Sequence, residues 1–363
     1  MKETKTQVPW RALTMVGALL LIWIIFSITT DGIFLQPRNL SLLMRQMAVT
    51  SILAIGMVLV IVAGQIDLSV GAMTGFLGAV SAYLYVTQGW PLGATFLSTL
   101  LLGALLGHLQ GHLVTWFNIP PFIVTLGGML IFQGALLGMT GGVAISPSPD
   151  FLYVGQAYIH KTVGWGLMVA AVVVLLFLAL KAKGLGRLKW GGLAALVALF
   201  ITILNLYEGI PIPVLLMILL AALFSILATQ TPFGRHLYAI GGNAEAAFYS
   251  GIDIKRHIVM TFTLMGAMVG VAGIVLTARV GAATSDAGRM MELDAIAAAV
   301  IGGTSLMGGR GTVWGAIVGG LVMASLDNGM SLMNTEAFWQ PIIKGSILII
   351  AVALDMMGRK GKN

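Results

Sequence analysis

Acidic side chains beside long apolar runs are the groups in this sequence whose types and positions could do chemistry. Asp67 lies between two such runs in AGQIDLSVGAM, and Glu292 and Asp294 begin the stretch MELDAIAAAVIGGTSLMGGRG. An ionised carboxylate in apolar surroundings is costly unless it is paired, hydrated or close to a helix N-terminus. These positions therefore indicate either a hydrated path for a polar solute or local capping of a helix.

For Asp67 both interpretations stay open. It could border a water-filled path or gate, with Gln65 and Ser69 as polar partners. It could instead cap a helix that starts at Leu68, because an Asp side chain accepts hydrogen bonds from the free amides of a helix start. Gln65, Asp67 and Ser69 are the first candidates for a translocation path.

The second acidic stretch indicates a short helix. The apolar run 293–306 is too short and too Gly-rich for a full membrane span, so it could be a half-helix that unwinds at GGTSLMGGRG. A broken helix beside a cavity can place amides and hydroxyls along a solute path, although a re-entrant structural element fits the residues equally well. The path candidates here are Glu292, Asp294, Thr304 and Ser305.

Three further polar residues lie in or at the end of apolar runs. Asn328 in SLDNGMS is a path candidate, although Asn328-Gly329 is also the pattern of a helix C-terminal stop. Arg45 and Lys344 lie within apolar runs, where each needs a counter-charge or a route to the interface, and we interpret both as structural.

The common catalytic and cofactor patterns are missing. The chain has 0 Cys, which excludes thiolate metal sites and a Cys nucleophile, and its 5 His residues show no HExxH spacing. His108 and His112 share a helix face at i and i+4, but the sequence shows no third metal ligand. No GxxxxGK[ST] phosphate loop occurs either. We therefore expect no catalytic residue, metal or cofactor in this chain, and any ATP to be bound by a partner.

Hydropathy predicts the elements that must position these residues. The 363 residues are 58% hydrophobic and 9% charged, with a mean hydropathy of +0.98. Because a span needs about 20 apolar residues, we predict an all-α, polytopic transmembrane helical bundle with about 10–12 membrane segments, in one domain over 1–363. The predicted runs are 12–28, 40–63, 68–86, 92–116, 122–139, 164–180, 190–206, 214–228, 258–278, 293–306, 313–325 and 342–354.

The basic residues predict the orientation of the chain. With alternating crossings and a cytoplasmic N-terminus, most of them fall on the cytoplasmic side, which is typical of inner-membrane proteins. That side then carries Lys2, Lys5, Arg11, Lys181, Lys183, Arg187, Lys189, Arg235, Lys255, Arg256, Arg310, Arg359, Lys360 and Lys362, whereas Arg38, Lys161, Arg279 and Arg289 fall outside. The net charge of +7 therefore reports topology in a bilayer and not nucleic-acid binding, and both termini are expected in the cytoplasm.

A polar, Gly-rich stretch at 231–257 falls on the same cytoplasmic side. Asn243 can cap a short helix AEAAFYS, Glu245 lies in its first turn, where a carboxylate suits the positive helix end, and Gly251 lies where a left-handed stop is expected. This pattern favours a docking helix for a cytoplasmic partner.

Three blocks of the sequence carry a family resemblance. FGRHLYAIGGNAEAAFYSGI, GQIDLSVGAM and ELDAIAAAVIGGTSLMGGRGTVWGAIVGG resemble the permeases of bacterial ribose, xylose and related sugar ABC importers. The blocks TTDGIFLQPRN, SLDNGMSLMNTEAFWQ and KAKGLGRLKWGG are most similar to the xylose branch of that family. The resemblance spans nearly the whole chain in the expected order.

The resemblance implies partners and a coupling loop. It implies a homodimer in the bacterial inner membrane, a cytoplasmic ABC ATPase below and a periplasmic sugar-binding protein above. The family's coupling loop falls on Gly234, Gly241, Gly242, Asn243, Glu245, Ala246, Ala247 and Gly251.

The function expected from these features is that of the permease subunit of an ATP-driven monosaccharide importer, with D-xylose as the sugar. One rival is an ion-gradient-driven secondary transporter, which would place ionisable residues near the bilayer midplane, whereas Asp67, Glu292 and Asp294 lie near run ends. Another rival is a membrane-embedded enzyme acting on lipid-linked sugars, which would need a catalytic constellation that the sequence does not show.

Overall fold

A computed structural model of the chain, which describes residues 10–182 and 184–360, is a bundle of α-helices. The helices are α1 (Trp10–Thr29), α2 (Pro37–Val62), α3 (Val70–Val86), α4 (Leu92–Trp116), α5 (Pro121–Thr140), α6 (Pro149–Gln156), α7 (Lys161–Lys181), α8 (Leu185–Leu206), α9 (Ile212–Gln230), α10 (Pro232–Gly242), α11 (Ala244–Tyr249), α12 (Ile254–Val280), α13 (Met291–Ile301), α14 (Val313–Leu332) and α15 (Trp339–Lys360). Two strands, β1 (Tyr158–Ile159) and β2 (Ile210–Pro211), pair antiparallel. Lys2, Lys5, Lys183 and Lys362 lie outside the described residues.

The predicted polytopic all-α fold is confirmed. Within the described ranges, 8 helices are long and apolar enough to cross a membrane, and three shorter apolar helices occur at Met15–Thr29, Val70–Val86 and Trp339–Ala353. Together with α13, these agree with the predicted number of membrane segments.

The centre of the bundle is α2, which is buried over most of its length. Its second half, 52–62, is apolar on all sides, which is typical of a helix that neighbours surround completely. It packs against α14, α12, α13 and α9. The helix α2 therefore connects the first and last parts of the chain.

Glycines allow α4 and α12 to approach closely. A Cβ atom at Gly107 would overlap the backbone carbonyl of Phe262, and one at Gly103 would overlap the carbonyl of Gly266. Close backbone approach at small residues is the usual basis of helix association in membranes. The two helices run antiparallel, because the C-terminal half of α4 contacts the N-terminal half of α12.

We predict that Gly107→Ala lowers the thermal stability of the purified protein because Phe262 must move to admit the new methyl group. A loss of about 1–3 kcal/mol is typical of overpacking a close-packed interface. The matched control is Gly134→Ala, since a Cβ atom there meets nothing within 4 Å. Equal melting temperatures for the two detergent-solubilised variants would contradict the interpretation of the α4–α12 contact.

The helices α3 and α13 both start part-way along the bundle. Gly71, in the first turn of α3, packs against Gly288 and Glu292, whereas Gly78 packs near the C-terminal end of α12, against Thr277. At the other end of α13, Gly302 packs against Gly315 in the first turn of α14. The predicted half-helix is confirmed, and it ends at Ile301, where the segment GGTSLMGGRG begins.

The position of the connection 302–312 shows that the segment containing α13 crosses the bundle. The connection lies against α10, because Gly308 and Gly309 pack on Gly241 and Gly242. The preceding helix α12 ends at the opposite end of the bundle, next to α6. The segment that contains α13 therefore connects the two ends.

One helix was not predicted, and the end of another was predicted wrongly. The stretch 231–257 contains a further helix, α10, before the expected one. The helix α14 does not stop at Asn328-Gly329 but continues to Leu332. The stop is Asn334, with φ 51°, and the amide of Thr335 then binds the Met330 carbonyl at 3.0 Å.

Candidate functional site

The short helix α11 has the caps that its sequence predicts. The Asn243 side chain accepts a hydrogen bond from the Ala246 amide at 3.0 Å, and Glu245 lies in the first turn. At the other end Gly251 has φ 82°, and the Ile252 amide donates to the Ala247 carbonyl at 3.1 Å. These bonds satisfy both helix ends locally, so a helix of 6 residues can persist outside the spans.

The surface of α11 is open to a partner. Ala247 is buried, but Phe248 and Tyr249 are 64% and 79% exposed, and Glu245 is exposed as well. Large aromatic side chains exposed beside charged ones are typical of protein interfaces. The helix α11 therefore has the exposed surface that the predicted docking helix requires.

The preceding helix α10 seats this surface on the bundle. Thr231 caps α10 by accepting from the Gly234 amide at 3.2 Å, and Leu237 and Ile240 are buried on one face. The Tyr238 hydroxyl donates to the Gly311 carbonyl at 2.8 Å. Burial raises the pKa of the Tyr238 phenol above its ordinary value, so the hydroxyl stays protonated as a donor.

Both ends of the stretch 231–257 are tied to spanning helices. Thr231 also donates to the Leu227 carbonyl of α9 at 2.6 Å, and Asp253 caps α12 through the Arg256 amide at 3.0 Å. His236 of α10 contacts His257 of α12, ring nitrogen to ring nitrogen, at 3.0 Å. The attachments of this stretch to α9 and α12 are thus short and hydrogen-bonded.

Charge divides the two ends of the bundle. The end that carries α10 and α11 exposes basic side chains: Lys181, Arg187, Lys189, Arg235, Lys255, Arg256 and Arg310. The last turns of α1 and the first turns of α15 lie at the opposite end, where Phe26 packs on Gly329 and Lys344 pairs with Asp327, both near the end of α14. The start of α1 and the end of α15 therefore lie at the basic end. Basic side chains that the sequence analysis assigned to one side of the membrane therefore lie at one end of the bundle.

Asp67 lies in a buried polar cluster. Its Oδ1 accepts from the Ser69 amide at 2.9 Å and from the Ser69 hydroxyl at 2.7 Å, and the side-chain amide of Gln110 donates to Ser69 at 3.0 Å. Asp67 is 2% exposed and Ser69 is 0% exposed. Asp67 binds the amide of Ser69, one residue before α3 begins, so it orders the helix entrance. Gln65 donates instead to the Ala63 carbonyl.

Asp294 takes part in an ion-pair cluster. The Lys344 ammonium of α15 lies 2.9 Å from Asp294 Oδ2 of α13 and 2.8 Å from Asp327 Oδ1 of α14. Lys344 thus has the counter-charge that its place in an apolar run requires. Arg45 donates instead to the Gly155 carbonyl at 3.2 Å and to the Tyr158 hydroxyl at 3.2 Å.

The path candidates do not converge on one site. Glu292 lies beside Gly71, near the start of α3, whereas Thr304 and Ser305 are buried in the connection 302–312. Asn328 lies at the opposite end and exchanges two hydrogen bonds with Asn39, at 2.8 and 3.0 Å. A solute path through all of these residues therefore stays a prediction.

The histidine pair on α4 is in contact. His112 Nε2 lies 2.9 Å from His108 Nε2, and His108 Nδ1 lies 3.1 Å from the Thr263 hydroxyl. Within residues 10–182 and 184–360, no group of three His, Cys, Asp or Glu residues could hold a metal ion. The polar contacts of this pair are thus one contact within α4 and one to Thr263 of α12.

Sequence reasoning missed several partners. Gln110, Asp327 and Tyr238 each bind a group far away in the sequence, and no local spacing identifies such pairs. Asp327 and Lys344 did carry a signal, since each is a charge in a largely apolar run. Opposite charges in separate membrane helices are expected to pair.

Comparison with known proteins shows what the chain is similar to. A family model described as "Branched-chain amino acid transport system / permease component" matches residues 39–352. The chain is 46% identical over 357 residues to the xylose transport system permease protein XylH of Escherichia coli (strain K12), which covers 94% of this chain and 90% of that protein. It is 44% identical to the XylH protein of Haemophilus influenzae over 95% of this chain and 96% of that one. The ribose import permease protein RbsC of Bacillus subtilis (strain 168) is 37% identical over 93% and 90% of the two chains. No solved structure matches.

Proposed function

The chain belongs to the permease-component family of branched-chain amino acid transport systems, and we propose that it is the permease of an ATP-driven importer for D-xylose. The assignment of xylose as the substrate rests on the 46% identity to a xylose permease over 94% of the chain. Relatives named for ribose and allose are less similar, at 37% and 33%. The relatives are transport proteins, which supports a role in moving the sugar and not in converting it.

ATP drives this permease through a partner. The sequence has no phosphate loop, and the exposed helix α11 supports docking of a cytoplasmic ATPase on the stretch 231–257. The coupling residues implied by the family resemblance all lie in this stretch: Gly234, Gly241, Gly242, Asn243, Glu245, Ala246, Ala247 and Gly251. ATP binding and hydrolysis in the partner then shift the population between outward-open and inward-open arrangements.

The proposal extends to location and assembly. The chain lies in the bacterial inner membrane with α10 and α11 in the cytoplasm, and it works as a homodimer that receives sugar from a periplasmic binding protein. The basic end of the described helices and the family membership support this arrangement. Sugar selection can then reside largely in the binding protein, with the path lined by hydroxyls and amides.

Uptake into proteoliposomes tests this function. With the permease, the ATPase and the sugar-binding protein present, we expect radiolabelled xylose to accumulate only when ATP is supplied to the ATPase. Excess unlabelled xylose should compete more strongly than ribose or allose. Omission of the ATPase should abolish uptake.

Two results would contradict the proposal. Xylose accumulation by the chain alone under a proton or sodium gradient would indicate a secondary transporter. Preferential accumulation of ribose or allose by the complete assembly would show that the sugar is wrong, although the permease role would stand.

A further inference from the structure

Besides its covalent attachments to α9 and α12, α10 has a second mechanical connection to the bundle. Its C-terminal half contacts two elements that are distant in sequence, the end of α2 and the connection 302–312, which we call the glycine loop. These contacts are made by Tyr238 and Gly241. Through these contacts the docking stretch 231–257 is connected non-covalently to the glycine loop and so to α13.

Gly241 forms the first contact. A Cβ atom at Gly241 would overlap the Val62 carbonyl oxygen and lie too close to the Gly309 amide nitrogen. The Gly309 amide itself donates to the Val62 carbonyl at 2.9 Å. Three backbone segments therefore meet at one point with no side chain between them, so displacement of α10 there must displace the other two.

Tyr238 forms the second contact. Its hydroxyl donates to the Gly311 carbonyl at 2.8 Å, at the C-terminal side of the glycine loop. The loop is closed on itself by the Ser305 amide, which donates to the Arg310 carbonyl at 2.9 Å. A force applied at Tyr238 therefore acts on the whole closed loop.

The glycine loop joins two membrane helices. At its start the Thr304 amide donates to the Ala299 carbonyl of α13 at 2.9 Å, and at its end Thr312 caps α14 by accepting from the Gly315 amide at 3.1 Å. Gly302 and Gly315 are in backbone contact. The half-helix α13 follows the docking stretch in the chain only after the whole of α12, and the glycine loop gives it a second, non-covalent link to that stretch.

We propose that Tyr238 is a positioning residue that, together with Gly241, transmits movement of the ATPase-docking stretch to α13 through the glycine loop. This rests on the proposed function, because the movement is that imposed by the ATPase. It goes beyond the attachments to α9 and α12, since α13 carries Glu292 and Asp294 at its far end. Coupling between sites requires an element that both sites bias, and the glycine loop is that element.

The test is the number of xylose molecules moved per ATP hydrolysed in the reconstituted complex. Tyr238→Phe removes a single hydrogen bond, and we expect it to retain ATPase binding and hydrolysis but to lower the transport ratio by about fivefold, the bias that one ordinary hydrogen bond supplies between two states. Tyr153→Phe is the matched control, since Tyr153 is 63% exposed on α6, and it should keep the wild-type ratio. A purely structural role would lower folded protein and hydrolysis together.

Glycine substitutions provide a second test. Gly241→Ala should lower the transport ratio more than Gly134→Ala on α5, because a Cβ atom at Gly134 meets nothing within 4 Å. An unchanged ratio in Tyr238→Phe, with wild-type transport intact, would overturn the proposal while leaving the permease function standing. Failure of the wild-type assembly to couple ATP to uptake would instead overturn the proposed function.

Discussion

Lys344→Met is expected to abolish transport and to remove most of the folded protein. The ammonium of Lys344 is the shared counter-charge of Asp294 and Asp327, at 2.9 and 2.8 Å, and all three side chains are at most 17% exposed. Its removal leaves Asp294 and Asp327 without the cation that contacts both of them, although Arg279 still interacts electrostatically with Asp327. Breaking a buried ion pair in this way costs about 3–5 kcal/mol, which is a large part of the stability of most proteins. The measurements are the melting temperature of the detergent-solubilised protein and xylose uptake.

Compensating substitutions separate charge from packing in this experiment. The triple variant Lys344→Met, Asp294→Asn, Asp327→Asn removes all three charges of the cluster and should recover much of the lost melting temperature. Lys161→Met is the matched control, because Lys161 is exposed at the start of α7 and its loss should change stability little. A wild-type melting temperature for Lys344→Met would show that the cluster does not hold α13, α14 and α15 together.

The elements of the fold were largely predictable because the bilayer imposes a length on each apolar run. The predicted run 92–116 coincides with α4, and the predicted run 122–139 differs from α5 by one residue at each end. The end of α14 was not predictable from Asn328-Gly329. The side chain of Asn328 pairs instead with Asn39, which is 289 positions away in the sequence, and no local pattern indicates this pairing.

The helix α10 was overlooked because its glycines and polar residues read as a loop. Its buried positions Gly234, Leu237 and Ile240 recur every three residues, which is the signal of one helix face. The helix α11 was predicted correctly because its caps are local: Asn243 binds an amide three residues ahead. The local sequence therefore predicted α11 but not α10, the helix that connects α11 to the bundle.

The path candidates show most clearly what could not be predicted from the sequence. Acidic residues near run ends were recognisable as unusual, but their partners depend on which helices become neighbours. Asp67 turned out to bind Ser69 nearby, whereas Asp294 binds Lys344, 50 positions away. Because helix neighbours are set by packing along the whole bundle, sequence spacing could identify the first pair and not the second.

Glu245→Lys is expected to abolish xylose uptake while the protein remains folded in the membrane. Glu245 is exposed in the first turn of α11, where the interaction of its carboxylate with the positive helix end stabilises the helix by about 0.3–1 kcal/mol. A Lys at this position makes the interaction repulsive. In a helix of 6 residues this weakens the element itself and also reverses the charge presented to the ATPase. The measurements are co-purification of the ATPase with the permease and ATP-dependent uptake.

Two variants make this result specific to the docking surface. Glu245→Gln removes the charge without reversing it, so it should lose less ATPase binding than Glu245→Lys. Glu208→Lys makes the same reversal at an exposed residue between α8 and α9, at the opposite end of the bundle, and should leave ATPase co-purification intact. Normal uptake coupled to ATP hydrolysis in Glu245→Lys would show that α11 is not the point at which the ATPase acts, since a reversed charge within the interface should weaken ATPase binding.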